Sequence, residues 1–539
     1  MATAVTVPDS VRARVALGPE AARAPVTDPT LGIAVPQTHR GEPPHRLVTI
    51  GDSITQGFQS GAVFHTDLSF PAIIAYELGW LERFRFPRYG GPGGLPLNVE
   101  LMLREVEAEF GTQPRIWQMP LVLYRVREFM DEVEDYWERG PGTRLPDLSG
   151  YLHNLSVYGW DLRDALSKTA ETCAAAVAAP NDALIDQIVQ NNAERAALRV
   201  YPRWATKQRT MTLFDAAAAL GDDHDESTEA GIETLVVFLG SNNALRSVTD
   251  LRIDWSGPDF ADLTAKNRYT VWCPEHFASE FAQVVDAVRE INARHVIWCT
   301  VPHVTIVPIA RGLGGKLARG SRYFRHYARP WVRDEDFDPD VDPHITGEQA
   351  REVDAAIDMY NDVIERAVRE GRSGASGPPR DWYLLDTAGI LDALASRRFI
   401  DDRSMRQNPT LRPDWWQRYP LPPPLRALRP MPNSHFLVGD GRGGRGDGGL
   451  FSLDGVHPTT VGYGIVAQEL IHIMTRAGVE FRTATGAVRT PPVAVDFDRL
   501  IARDTLVRTP PQNVGTTLET LGWLDQVTDW VQRVVGRKV

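Results

Sequence analysis

The sequence is poor in cysteine. It has three, Cys173, Cys273 and Cys299, in 539 residues. No Cys-x-x-Cys pair occurs, and three cannot all pair within one chain. A disulfide framework is excluded, and a reducing compartment fits. Long apolar runs are missing too. None approaches the roughly 18 residues of a membrane span, and no basic stretch followed by an apolar core opens the chain. These absences lead to the expectation of a soluble, cytoplasmic protein with no transmembrane segment. Surplus positive charge is also absent. The formal net charge is -12, which argues against a nucleic-acid partner, because phosphate binding needs clustered cations. The Arg-rich stretch from Arg322 to Arg333 is broken by aromatics and acids and reads as a solvated face. The acids from Asp334 to Asp342 lack EF-hand spacing and its terminal glutamate, so they read as a solvated loop rather than a calcium site.

What remains is ordinary globular material, 43% hydrophobic and 24% charged. Length alone suggests three or four domains, as a soft prior. Residues 1–44 are rich in Pro, Ala and Arg without sustained periodicity and read as an extended arm or a partly ordered leader. A buried strand follows at His45–Ile50, and similar short runs lie at Leu152–Val157, Thr234–Leu239, His295–Val301 and Trp382–Asp386. Between them, Phe277, Phe281, Val284, Val285, Val288 and Ile291 define one apolar helix face. Thr346 and Gln349 read as a capping box ahead of Val353, Ile357, Tyr360 and Ile364. Another helix is expected from Thr460 to Arg476. Strands alternating with helices predict an α/β protein with a parallel sheet covered on both faces. In such sheets ligands bind beyond the carboxyl ends of the strands.

Three stretches are too long for ordinary connections: about 85–150, 175–230 and 390–450. The first two carry helical patterns suited to a cap. The third holds Trp415, Trp416, Tyr419 and several prolines. Residues 479–539 form a C-terminal extension, in which Leu518, Leu521, Leu524, Val527, Val531 and Val534 outline an amphipathic helix expected to dock on the body. No internal repeat is visible.

Four motifs carry chemistry. Gly51-Asp52-Ser53 directly follows the first strand, where a tight turn exposes the serine hydroxyl; taken alone, Ser53 serves equally well as a helix N-cap. Serine needs a base to take its proton. Asp454-Gly-Val-His457 precedes the last helix of the 45–478 region, and a carboxylate three residues ahead of a histidine can hold its tautomer. Gly240-Ser-Asn242-Asn243 ends the third strand, where a side-chain amide suits a developing oxyanion or simply a turn. Asn154-Leu-Ser-Val-Tyr-Gly159 ends the second strand, where glycine lets an N–H approach an oxyanion or merely closes a turn.

Taken in this order, the four blocks resemble the SGNH hydrolases, also called GDSL esterases and lipases. The resemblance covers somewhat less than half of the chain. It implies a flavodoxin-like three-layer α/β/α sandwich on a five-stranded parallel sheet, spanning 45–478 with helical insertions. It further implies Ser53 as nucleophile, His457 as general base and then acid, and Asp454 as its orienting carboxylate. The implied oxyanion hole is the N–H of Ser53, the N–H of Gly159 and the side chain of Asn242. The implied activity is hydrolysis of small-molecule or lipid carboxylic esters, with no metal and no organic cofactor. Two departures stand out: Tyr158 precedes Gly159 where a small residue is usual, and Asn243 stands where the family has aspartate. An acyltransferase on the same triad, or a noncatalytic scaffold on the same fold, are the alternatives. Oligomeric state is not legible.

Two patterns are decoys. Gly439-Asp-Gly441-Arg-Gly443-Gly444 matches a dinucleotide fingerprint, but more glycine follows where a helix must start; it reads as a flexible loop placed to gate the Asp454–His457 segment. His303 follows the fourth strand and could face the site, although a structural histidine is the better reading.

Overall fold

A computed structural model describes residues 6–18, 23–36, 41–179, 189–224, 228–375, 377–515 and 517. The amphipathic pattern that begins at Leu518 lies outside the described residues. Five parallel strands form the central sheet: β1 (His45–Gly51), β2 (Asn154–Ser156), β3 (Ile232–Phe238), β4 (Ala293–Cys299) and β5 (Trp382–Leu385). Their spatial order is β2-β1-β3-β4-β5, one of the two common doubly wound orders, with its switch point between β1 and β3. Every residue of β1 and β3 is buried. Strands covered on both faces read as unbroken apolar runs, which is why they stand out in the sequence.

Among the helices are α1 (Asp9–Ala16), α2 (Ser53–Gln56), α3 (Phe70–Glu77), α4 (Val99–Phe110), α5 (Met119–Glu138), α6 (Leu213–Gly221), α7 (Pro274–Arg289), α8 (Gly347–Ser373), α9 (Thr387–Leu394) and α10 (Thr460–Arg476). Helices α6, α7 and α8 cover one face of the sheet, and α3 with α10 the other. Helix α7 buries Phe277, Phe281, Val284, Val285 and Val288, the face its spacing predicts. The α8 capping box forms, with Gln349 N–H donating to Thr346 Oγ1 at 3.2 Å and Thr346 N–H to Gln349 Oε1 at 2.8 Å.

Several expectations need correction. The arm is not extended throughout: α1 packs Val11 against α8, since an isolated apolar face needs a partner. Further along, Leu384 N–H donates to the carbonyl of Pro29 at 3.0 Å, so the arm covers the exposed edge of β5. The Arg322–Arg333 stretch is not a solvated face. Arg322 and Arg329 are buried, and Phe324–Ala328 pairs with Arg311–Lys316 and Ile345–Thr346 in a three-stranded antiparallel sheet. The glycines after Gly439 form the turn of a two-stranded hairpin, Val438–Gly439 with Arg445–Asp447. Gln512 holds that turn, accepting from Gly441 N–H and donating to the carbonyl of Gly444.

Candidate active site

The site is built at the carboxyl ends of β1, β2 and β3, and registry places the sequence blocks side by side. Gly51 lies across from Ser156 on one side and Phe238 on the other. The backbone turns sharply after β1. A Cβ on Gly51 would stand 2.1 Å from Thr55 Oγ1 and 2.9 Å from the carbonyl oxygen of Phe238, so only glycine fits. Asp52 caps the short helix α2 by accepting from Ile54 N–H at 3.1 Å. Ser53 opens that helix, where a backbone N–H has no intrahelical acceptor.

Ser53, His457 and Asp454 are all buried and come together. Ser53 Oγ lies 2.8 Å from His457 Nε2, and His457 Nδ1 lies 3.0 Å from Asp454 Oδ2. Asp454 also accepts from the N–H groups of His457 at 2.8 Å, Val456 at 2.9 Å and Gly61 at 3.0 Å. Burial alone would raise its carboxyl, but the adjacent His457 ring and the N–H groups of His457 and Val456 hold it below the ordinary range. An ionised Asp454 fixes the imidazole hydrogen on Nδ1. That leaves Nε2 as the acceptor facing the serine hydroxyl. Asp52 goes the other way: burial pushes its carboxyl up to about 6, against the pull of the Ile54 N–H and His457.

Gly159 follows β2 and Asn242 follows β3, the two strands that flank β1. Gly159 has φ +77°, a left-handed conformation suited to glycine. One amide hydrogen of Asn242 donates to the carbonyl of Trp160 at 2.8 Å. This ties the two blocks together and leaves the second amide hydrogen to donate elsewhere. The two departures in these blocks have structural reasons. Tyr158 N–H donates to Gln56 Oε1 at 2.8 Å, and its hydroxyl to Asn192 Oδ1 at 2.8 Å. Its ring packs 5.0 Å from Phe58, which in turn lies 4.5 Å from the His457 ring. Asn243 is buried and accepts from Leu162 N–H at 3.4 Å through its side-chain carbonyl, a role that needs no charge.

Sequence reasoning missed the strap that clamps the Asp454 loop. Phe58–Gln59 pairs antiparallel with Ala62–Val63. Ser60 and Gly61 form the turn, with φ +51° and +84°, the signs of a type I′ turn. Ser60 N–H donates to Ser452 Oγ at 2.9 Å while Gly61 N–H reaches Asp454. The Ser-Gly dipeptide was the available signal.

His303 lies outside the site. Nδ1 is 3.0 Å from Asp392 and Nε2 is 3.1 Å from Asp358. Arg398 and Arg322 complete this buried cluster with Asp354, whose carboxylate accepts from Arg398 Nη2 at 2.7 Å and from Tyr323 at 3.1 Å. Among the described residues, no group of three or more His, Cys, Asp or Glu side chains is arranged to hold a metal ion, and no helix is long and apolar enough to cross a membrane.

Two cavities meet the blocks. One of about 120 Å³ touches Ser53 and His457 and is walled chiefly by aliphatic side chains. The other, about 440 Å³, touches Gly159 and Asn242 and carries charged walls, including Lys168, Glu194 and Lys266. No protein-family model, curated protein or solved structure matches the chain.

Proposed function

We propose that the chain is a serine hydrolase of the SGNH type that cleaves carboxylic esters through an acyl-enzyme on Ser53. The observation that carries this reading is the continuous Ser53–His457–Asp454 hydrogen-bond chain at 2.8 and 3.0 Å. Nucleophile, base and orienting acid are recognised by such geometry, not by chain position.

Ser53 Oγ attacks the ester carbonyl carbon while His457 Nε2 takes the hydroxyl proton. The carbonyl oxygen becomes an oxyanion facing the N–H groups of Ser53 and Gly159 and the free amide hydrogen of Asn242. Asp454 stabilises the imidazolium as it forms. The intermediate collapses, His457 returns the proton to the leaving alcohol, and the acyl group stays on Ser53. Water then enters, His457 takes one of its protons, and the acid departs as the proton returns to Ser53.

The test is covalent. A fluorophosphonate should label the wild-type chain on Ser53, read by mass spectrometry of the labelled peptide, and Ser53→Ala should take no label. A wild type that takes no label, or a label retained by Ser53→Ala, overturns the reading.

A further inference from the structure

The cavity of about 120 Å³ that opens on Ser53 and His457 is apolar apart from those two residues, Ser241 and Thr387. Its walls include Leu391 and Leu394 of α9, Leu450, Val304 and Val466 of α10. Leu391, Leu394 and Leu450 come from the 390–450 insertion. The described lining contains no residue of the 85–150 or 175–230 insertions. The buried Asp392, between Leu391 and Leu394 in sequence, is tied to His303. That tie fixes α9, and with it one wall of the cavity.

We infer that this cavity is the acyl site and that it selects medium-length acyl chains of about eight to twelve carbons. The inference rests on the hydrolase reading above. The choice of acyl over alcohol follows from the order of events. The alcohol must leave beside His457 and water must replace it there, so that side needs a route for water. The acyl group stays bound through both half-reactions, and an aliphatic wall that excludes water suits the part that stays. Length follows from volume. A water-sized group needs roughly 10–15 Å³ measured in this way, so about 120 Å³ holds roughly eight to twelve methylene-sized groups. Each methylene buried is worth roughly a fourfold gain in kcat/KM.

The experiment uses the full chain and two ester series. In the first, p-nitrophenyl esters run from acetyl to palmitoyl. In the second, alkyl acetates run from ethyl to decyl. The expected result is a kcat/KM that climbs about fourfold per methylene along the acyl series, stops within about eight to twelve carbons, and barely changes along the alkyl series. Two variants move the stop in opposite directions: Val466→Phe shortens the optimal chain and Leu391→Ala lengthens it. Length dependence confined to the alkyl series overturns the inference, as does a flat profile in both or a climb that continues to palmitoyl. Those outcomes leave Ser53 labelling intact and the hydrolase reading standing. A chain that takes no fluorophosphonate removes both.

Discussion

Two buried histidines of this chain share one contact and differ in the other. His457 and His303 each hold a carboxylate 3.0 Å from Nδ1, Asp454 and Asp392 respectively. At Nε2, His457 meets the Ser53 hydroxyl at 2.8 Å, whereas His303 meets a second carboxylate, Asp358, at 3.1 Å. Burial pulls His303 toward neutrality, yet Asp392, Asp354 and Asp358 together outweigh it and lift its pKa to about 10. A ring held as a cation has no lone pair to accept a proton. In the proposed mechanism one carboxylate orients a base, whereas two carboxylates hold the ring as a cation at neutral pH. The partner of Nε2 divides chemistry from scaffolding.

The sharpest way to break the comparison is to remove the proposed catalytic partners. Ser53→Ala or His457→Ala should lower ester turnover by about a million-fold, the scale seen when either member of such a pair is lost, and Ser53→Ala, which removes only a hydroxyl, should leave thermal unfolding of the purified protein nearly unchanged. Asp454→Asn should cost about ten-thousand-fold in kcat. The amide would favour the wrong tautomer and turn Nε2 into a donor toward Ser53. Steady-state hydrolysis of a p-nitrophenyl ester reads both.

Much of this contrast was legible in the sequence, though unevenly. The five strands and α10 were visible because a parallel sheet buried on both faces writes its strands as apolar runs and α10 begins after a capping Thr459. The triad was visible because Ser53 and Asp454 to His457 sit in short local motifs. The antiparallel strand Arg311–Lys316 was invisible, since Gly312, Gly314 and Gly315 erase any alternation. The burial of Arg322 and Arg398 was invisible for another reason. Each charge is compensated by acids brought from α8 and α9, and such pairing depends on tertiary placement. The packing of Phe58 on the His457 ring, and of Tyr158 on Phe58, was missed likewise, because nothing local signals it.

The scaffolding side breaks differently. His303→Gln removes the cation from between Asp358 and Asp392 and leaves buried charge uncompensated, which costs about 3–5 kcal/mol. Urea unfolding should show that loss, while the folded variant still takes a fluorophosphonate on Ser53. A smaller effect is expected at the proposed oxyanion donors. Asn242→Ala should lower kcat by about a hundred- to a thousand-fold, or roughly 2.7–4 kcal/mol of barrier. It also releases the carbonyl of Trp160, so a fall in kcat with KM nearly constant identifies loss of the transition-state donor.

The smallest effect is a slope, and it separates the two histidines most cleanly. His303 binds its proton more tightly folded than unfolded, with a pKa near 10 against an ordinary value of about 6.5. Its contribution to stability is complete below about pH 6.5 and is lost as pH rises through 10. Asp392 has the opposite sign. Burial pushes its carboxyl up, but His303, Arg322 and Arg398 bring it down to about 2. Its contribution is complete above about pH 4 and fades as pH falls through 2. Stability from this cluster should therefore plateau between about pH 4 and 6.5. Above the plateau it should decline by at most one proton, about 1.4 kcal/mol per pH unit. In His303→Gln the alkaline slope should flatten by that amount, because no proton remains to be lost. Parallel stability curves for wild type and variant from pH 6.5 to 9.5 would show that His303 is not held as a cation, and the distinction drawn from its second carboxylate would fail.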